Sequence, residues 1–179
     1  MTHSDLCARA LRWLSGTRQC DPVFSNLASC DEIPDAIGWS SCHKWRGSTV
    51  IECKTSVSDF YADKRKRYAW KSEFGGLCPG IRMSQKEAEA TGRERIDLPI
   101  MGDYRFFLSL PEVILPGMVF KHAPGHGLLW IDGARIKVIQ PAPLRENVNY
   151  PAEIRYLRFA IINRKRSYVG GDAAKGENP

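Results

Sequence analysis

Apolar residues at Leu6, Ala10, Trp13 and Leu14 recur close to the helical period, so Asp5 to Leu14 predicts a first helix. Ser4 is placed to cap it and Gly16 to end it. Three short apolar runs follow, Val23 to Ala28, Ile33 to Trp39 and Ser48 to Thr55, separated by polar stretches, and they predict a meander of three strands. Ser56 or Ser58 can cap a second helix, with Asp59 near its positive end, and the pattern carries that helix through Phe60 to about Trp70. Tyr104 to Leu110 alternates as a strand does. Leu128 to Ile131 and Ile136 to Gln140 flank Asp132-Gly133 and predict a hairpin, and Ala152 to Arg164 predicts a final amphipathic helix.

Between these elements, residues 71–101 change character. Gly75-Gly76, Pro79-Gly80 and scattered charges read as an insertion on the core, with Ser84 to Ala90 as a short helix. Residues 168–179 lack an apolar anchor and predict a disordered tail, leaving 1–167 as a single α/β domain without internal repeats. At 179 residues and 43% hydrophobic content, the chain can bury one substantial core.

Charge adds a modest preference. Lys and Arg number 26 against 20 Asp and Glu, a net charge of +6 that suits an anionic partner without naming one. No apolar stretch reaches membrane-spanning length and the first residues lack a signal-peptide pattern, so a cytoplasmic chain without a membrane partner is expected. The 6 cysteines then read as reduced thiols. Cys7 and Cys53 fall at core positions. Cys20, Cys30, Cys42 and Cys78 lack CxxC spacing, and an iron-sulfur cluster built from them is the less favoured reading. His122 and His126 are four apart, but Pro124 and Gly125 break the helix that would align them for zinc, so a loop is expected.

The candidate chemistry lies where polar side chains interrupt apolar strands. In Val50-Ile51-Glu52-Cys53-Lys54, alternation puts Glu52 and Lys54 on one face and Ile51 and Cys53 on the other. Asp35, between Pro34 and Ala36 in the preceding run, can lie alongside. Converging carboxylates repel unless a cation separates them, and hard divalent ions prefer such oxygen ligands. A lysine beside the ion can position or deprotonate an attacking water. The plainer alternative is an exposed ladder, in which Glu52 and Lys54 solvate one strand face and Asp35 makes a turn.

Pro34-Asp35 followed by Val50-Ile51-Glu52-Cys53-Lys54 resembles the PD-(D/E)XK nuclease superfamily. The stretches 55–64, 102–108, 127–133 and 153–159 resemble its MmcB-like DNA-repair and phage branch. The resemblance implies a restriction-endonuclease-like mixed sheet flanked by helices, with an αβββαβ core. It implies Mg²⁺, replaceable by Mn²⁺, bound by Asp35, Glu52 and the backbone carbonyl of Cys53. Lys54 would orient the nucleophilic water, and Asp5 would add an outer contact. DNA is the implied partner, and cutting both strands implies a homodimer.

Lys64-Arg65-Lys66-Arg67 follows the site, and on a helix Lys64, Arg67 and Lys71 share one side, which makes them the candidate phosphate contacts. A solvated helix surface, with Asp59 and Asp63 pairing locally to Lys64 and Arg67, is an equal reading. Arg155, Arg158, Arg164, Lys165 and Arg166 read as an ordinary exposed face and tail. The dispersed tryptophans read as core or partly buried. A noncatalytic nuclease-fold module that binds DNA or protein is the alternative to an enzyme, and a zinc or iron-sulfur regulator is a third reading.

Overall fold

A cap that reaches back on itself starts the chain. Thr2 Oγ1 accepts from Asp5 N at 3.2 Å and Asp5 Oδ2 accepts from Thr2 N at 2.8 Å, a capping box that opens helix α1 (His3–Gly16). Thr2, not Ser4, is the cap, because Ser4 already lies within the first turn. The computed structural model describes residues 1–26, 32–63, 68–71, 77–79, 90–91, 95–97 and 99–162.

Strands β1 (Val23–Phe24), β2 (Ala36–Ser40) and β3 (Gly47–Cys53) form the expected antiparallel meander. Helix α2 (Val57–Asp63) follows, its Asp59 N donating to Ser56 Oγ at 3.2 Å, so Ser56 is the capping side chain. The helix does not continue to Trp70. Tyr68–Lys71 is instead strand β4, central in a small antiparallel sheet with β5 (Leu77–Pro79) and β6 (Arg95–Asp97). The Tyr-Ala-Trp-Lys alternation suits a pleated strand, and two flanking strands supply the hydrogen bonds that a lone helix end lacks. The insertion therefore has its own sheet; residues 84–89 and 168–179 lie outside the described residues.

The chain re-enters the main sheet as β7 (Tyr104–Ser109), passes through α3 (Pro116–His122), and returns as β8 (Gly127–Asp132) and β9 (Arg135–Gln140), ending in α4 (Tyr150–Ile162). Helix α3 is an element that the sequence pattern does not predict; Pro116 occupies its first turn, where the missing N–H has no intrahelical partner to lose. The six strands run in the order β1-β2-β3-β7-β8-β9, with β3, β7 and β8 parallel and the other pairs antiparallel. This is a mixed α/β fold. No described helix is long and apolar enough to cross a membrane.

Strand alternation divides the core into two layers. Ile51, Cys53, Phe106, Leu108, Leu129 and Ile131 pack beneath Leu6, Ala10, Trp13 and Leu14 of α1. On the other face, Val50, Ile37 and Met101 meet Ala152, Tyr156 and Ala160 of α4, while Phe107 and Leu128 meet Phe60, Ile114 and Val119. β3 is covered on both faces, so any charge on it must find partners inside the protein.

At the N-terminal end of β3, the partners are neutral donors and two carboxylates. Ser48 N and Oγ donate to Asp103 Oδ2 at 2.7 and 2.9 Å, or Ser48 Oγ turns to Glu153 Oε1 at 2.9 Å. Glu153 also accepts from Gly102 N at 2.7 Å and Trp39 Nε1 at 3.1 Å, and Tyr150 Oη donates to Asp103 at 2.7 Å. Gly47 is required beside this node: its φ is +115° and an added Cβ would lie 2.5 Å from Asp103 Oδ2. The node anchors α4 to the sheet. Because every neighbour of Glu153 donates to it, Glu153→Gln turns an amide NH₂ against a donor and should cost about 1–3 kcal/mol. Urea unfolding at neutral pH measures this, and an unchanged midpoint would remove the node from the account of α4 docking.

Candidate active site

Strand β3 delivers Glu52, and Lys54 follows it directly, at the C-terminal end of the parallel strands. Both side chains emerge on the α2 face as the alternation predicts, with Lys54 Nζ 3.7 Å from Glu52 Oε2. Neither is an exposed ladder residue; Glu52 is 4% and Lys54 2% exposed. The neighbouring strand brings Arg105, which lies beside Val50 in the β3–β7 register and whose Nη2 donates to Glu52 Oε1 at 3.0 Å. Arg105 Nη1 donates to Met101 O at 2.7 Å and to Glu32, while Glu32 Oε2 accepts from Met101 N at 2.8 Å.

Helix α2 closes the other side. Lys54 Nζ donates to Asp63 Oδ1 at 3.1 Å and lies 4.0 Å from Asp59 Oδ1. Asp59 and Asp63 therefore face the site. Arg105 and Glu32 escape the sequence reading, and Asp63, expected there to pair with Lys64 or Arg67, is bonded to Lys54. The available signal was Arg105 itself, a charge inside the apolar run Phe106-Phe107-Leu108 on a strand that must be buried.

Asp35 stands on the final turn into β2 and does not share a direct contact with Glu52. Its Oδ2 accepts from Cys53 N at 2.7 Å and lies 3.2 Å from His3 Nε2. Cys53 thus follows Glu52 directly on β3, its backbone tied to Asp35 and its thiol directed to Cys7 on the α1 face. The Asp5 carboxylate is held in the capping box with Thr2. Lys64 and Arg67 lie outside the described residues. Lys71 belongs to strand β4, so the helical face proposed for the three basic residues does not form.

The remaining candidates separate. His126 is buried and stacks on Phe107 with ring centroids 5.1 Å apart, whereas His122 ends α3 and meets the edge of Tyr61, so the two imidazoles do not converge. Cys7 and Cys53 are core residues; Cys20 is buried and Cys42 half-buried.

The electrostatics of the site follow from its composition. Among the described residues, the carboxylates of Glu32, Glu52, Asp59 and Asp63 stand against the cations of Arg105 and Lys54, and Asp35 adds its charge beside Glu52, leaving negative charge in excess. Burial pushes the Glu52 carboxyl up to about 7; Arg105 and Lys54 pull it down, but Asp63 and Asp35 add to the rise. Burial opposes the charge on Lys54, yet Asp63, Glu52 and Asp59 together hold its ammonium above the usual lysine range. Such a constellation can hold a hard divalent ion, which would supply the missing positive charge. Without a metal, the raised Glu52 pKa contributes stability that is complete below about pH 4.5 and is lost as pH rises toward about 7. Urea midpoints in EDTA should therefore fall across that window, and the fall should shrink in Glu52→Gln; equal slopes in both proteins would contradict a Glu52 carboxyl whose ionised form is disfavoured by burial.

No protein-family pattern matches the chain. No curated protein matches it either. Among solved structures, a protein of unknown function from Silicibacter pomeroyi superposes with a TM-score of 0.53 at 17% identity, covering 93% of this chain and 89% of that one. At that identity the likeness shows a shared mixed α/β fold and nothing about activity.

Proposed function

We propose that the chain is a Mg²⁺-dependent endonuclease of the PD-(D/E)XK type, hydrolysing DNA phosphodiester bonds in bacterial or phage DNA processing or repair. The observation that carries this reading is the surplus of carboxylates around Glu52 and Lys54 at the end of a central, doubly covered strand. Burying uncompensated negative charge is costly, and a divalent cation offsets that cost where oxygen ligands converge. Further support comes from the chain order of α1, the β1-β2-β3 meander, α2 and, after the strands of the insertion, β7, an order compatible with the αβββαβ core of the restriction-endonuclease-like fold.

In this reading Asp35, Glu52 and the Cys53 carbonyl hold the ion, with Mn²⁺ able to replace Mg²⁺. When bound, it supplies Lewis acidity and lowers the pKa of coordinated water. The backbone of Cys53 sets the position of Asp35, and Arg105 fixes one oxygen of Glu52. Lys54, held at the site by Asp63 and Glu52, orients the attacking water and stabilises the negative charge that develops on the phosphate. Lys64, Arg67 and Lys71 contact DNA phosphates. The enzyme acts in the cytoplasm, and a homodimer cuts both strands.

A second reading has its own observation. Both Glu52 oxygens already face cations, Arg105 at 3.0 Å and Lys54 at 3.7 Å, and Lys54 is in turn bonded to Asp63 at 3.1 Å. An ion-pair network closed in this way suits a noncatalytic nuclease-fold module that binds DNA or protein.

Cleavage of supercoiled, single-stranded and branched DNA with Mg²⁺, Mn²⁺ or EDTA separates the two. The nuclease reading expects metal-dependent cutting that Glu52→Gln abolishes and Lys54→Ala slows by about 100-fold or more while affecting metal affinity less. Circular dichroism checks that both variants fold. Unchanged cleavage in both variants would sink the site, and salt-sensitive binding without cutting would favour the noncatalytic module. Removing Lys64 and Arg67 together should weaken binding to all sequences alike and reduce the salt slope by about 2. A loss confined to one sequence would contradict phosphate contact.

A further inference from the structure

His3 and Cys7 stand one helical turn apart on α1, so their side chains share a face. Cys7 Sγ lies 3.6 Å from His3 Nδ1, and His3 Nε2 lies 3.2 Å from Asp35 Oδ2. One imidazole nitrogen, the thiol and one carboxylate oxygen fall within 4.8 Å of one another. The thiol of Cys53 reaches the same place from β3 and meets that of Cys7. Four potential ligands thus come together from the start of α1, the start of β2 and the end of β3.

The geometry points to a second metal site here, for a borderline-soft divalent cation such as Zn²⁺. Sulfur and imidazole donors select zinc over magnesium, which distinguishes this cluster from the carboxylate site on the other face of β3. Zinc bonds of about 2.0–2.3 Å place tetrahedral donors roughly 3.3–3.8 Å apart, close to the spacings already present. His3 now spans Cys7 and Asp35 with different nitrogens; its side chain is 46% exposed and free to turn one nitrogen toward the ion. Asp35 is oriented for the role by the N–H of Cys53, the kind of outer bond that tunes metal ligands. Cys53 or a water completes the coordination. Zinc would pin the first turns of α1 to the central strands. Asp35 serves both sites, so zinc would also withdraw it from the Mg²⁺ site; this consequence, unlike zinc binding itself, rests on the nuclease reading.

Titration of the purified, reduced protein with Co²⁺ as a spectroscopic stand-in, followed by competition with Zn²⁺, tests the site. A tetrahedral visible spectrum with a thiolate-to-cobalt charge-transfer band is expected at one equivalent, and Zn²⁺ should displace it. Cys7→Ser should lose the charge-transfer band or move it to a weaker one from Cys53 alone. Loss of one outer-shell partner alone costs about 10–100-fold in metal affinity, so His3→Ala should weaken binding by at least that much. The His3 side chain takes no part in the Thr2–Asp5 capping bonds and is half exposed, so this variant keeps its fold even where Cys7→Ser does not. Glu52→Gln should bind Co²⁺ as the native chain does, which keeps failure of this site distinct from failure of the nuclease site. Absence of a charge-transfer band in the native protein, or affinity unchanged in His3→Ala, overturns the proposal.

Discussion

A guanidinium in the middle of a sheet must be surrounded by acceptors, and Arg105 sets the terms for everything near it. It is 2% exposed, and its burial opposes its charge unless carboxylates stand close. Glu52 meets it from β3, Glu32 from the loop before β2, and the Met101 carbonyl from the turn into β7. These bonds tie the parallel β3–β7 pair to the segment that leads into β2, and they leave Glu52 with one oxygen toward Lys54. Lys54 in turn holds Asp63, which draws α2 onto the strand ends. The chain of charges therefore organises the same end of the fold at which the candidate chemistry lies.

The two ends of β3 solve the problem of buried polarity differently. At its start, Ser48, Trp39, Gly102 and Tyr150 supply neutral donors to Asp103 and Glu153, and burial raises the Glu153 carboxyl above its ordinary range. At its end, full positive charges face full negative ones. Neutral donors fix a rigid joint between α4 and the sheet. A charged network with excess carboxylate instead keeps an electrostatic demand that an added cation can meet. That contrast sets the candidate site at the C-terminal end of the strand apart from the joint with α4 at its N-terminal end.

Much of this was legible in the pattern of residues. Alternation placed Glu52 and Lys54 on one face, and the helical period found α1 and α4, because both depend only on local geometry. Arg105 was not recognised because a charge within an apolar strand is explained only by its partners, which lie far along the chain at Glu32 and Glu52. Tyr68–Lys71 was read as helix because the four basic residues before it, followed by Tyr68 and Trp70, suit a helix as well as a strand. Pairing with β5 and β6 settled the conformation, and that pairing spans an insertion with weak local signals. Asp35 was rightly placed beside β3, but its contacts run to Cys53 and His3.

By itself, the sequence determined α1, the β1-β2-β3 meander, β7, the β8-β9 hairpin and α4, and the convergence of Glu52 with Lys54, since these follow from periodicity and sterics within a few residues. Only the tertiary structure decided which charges neutralise which, that Asp59 and Asp63 turn toward Lys54, and that His3, Cys7, Asp35 and Cys53 meet between α1 and the sheet. Ion pairing and ligand convergence depend on distances between segments remote in the chain, and those distances exist only after the core has packed.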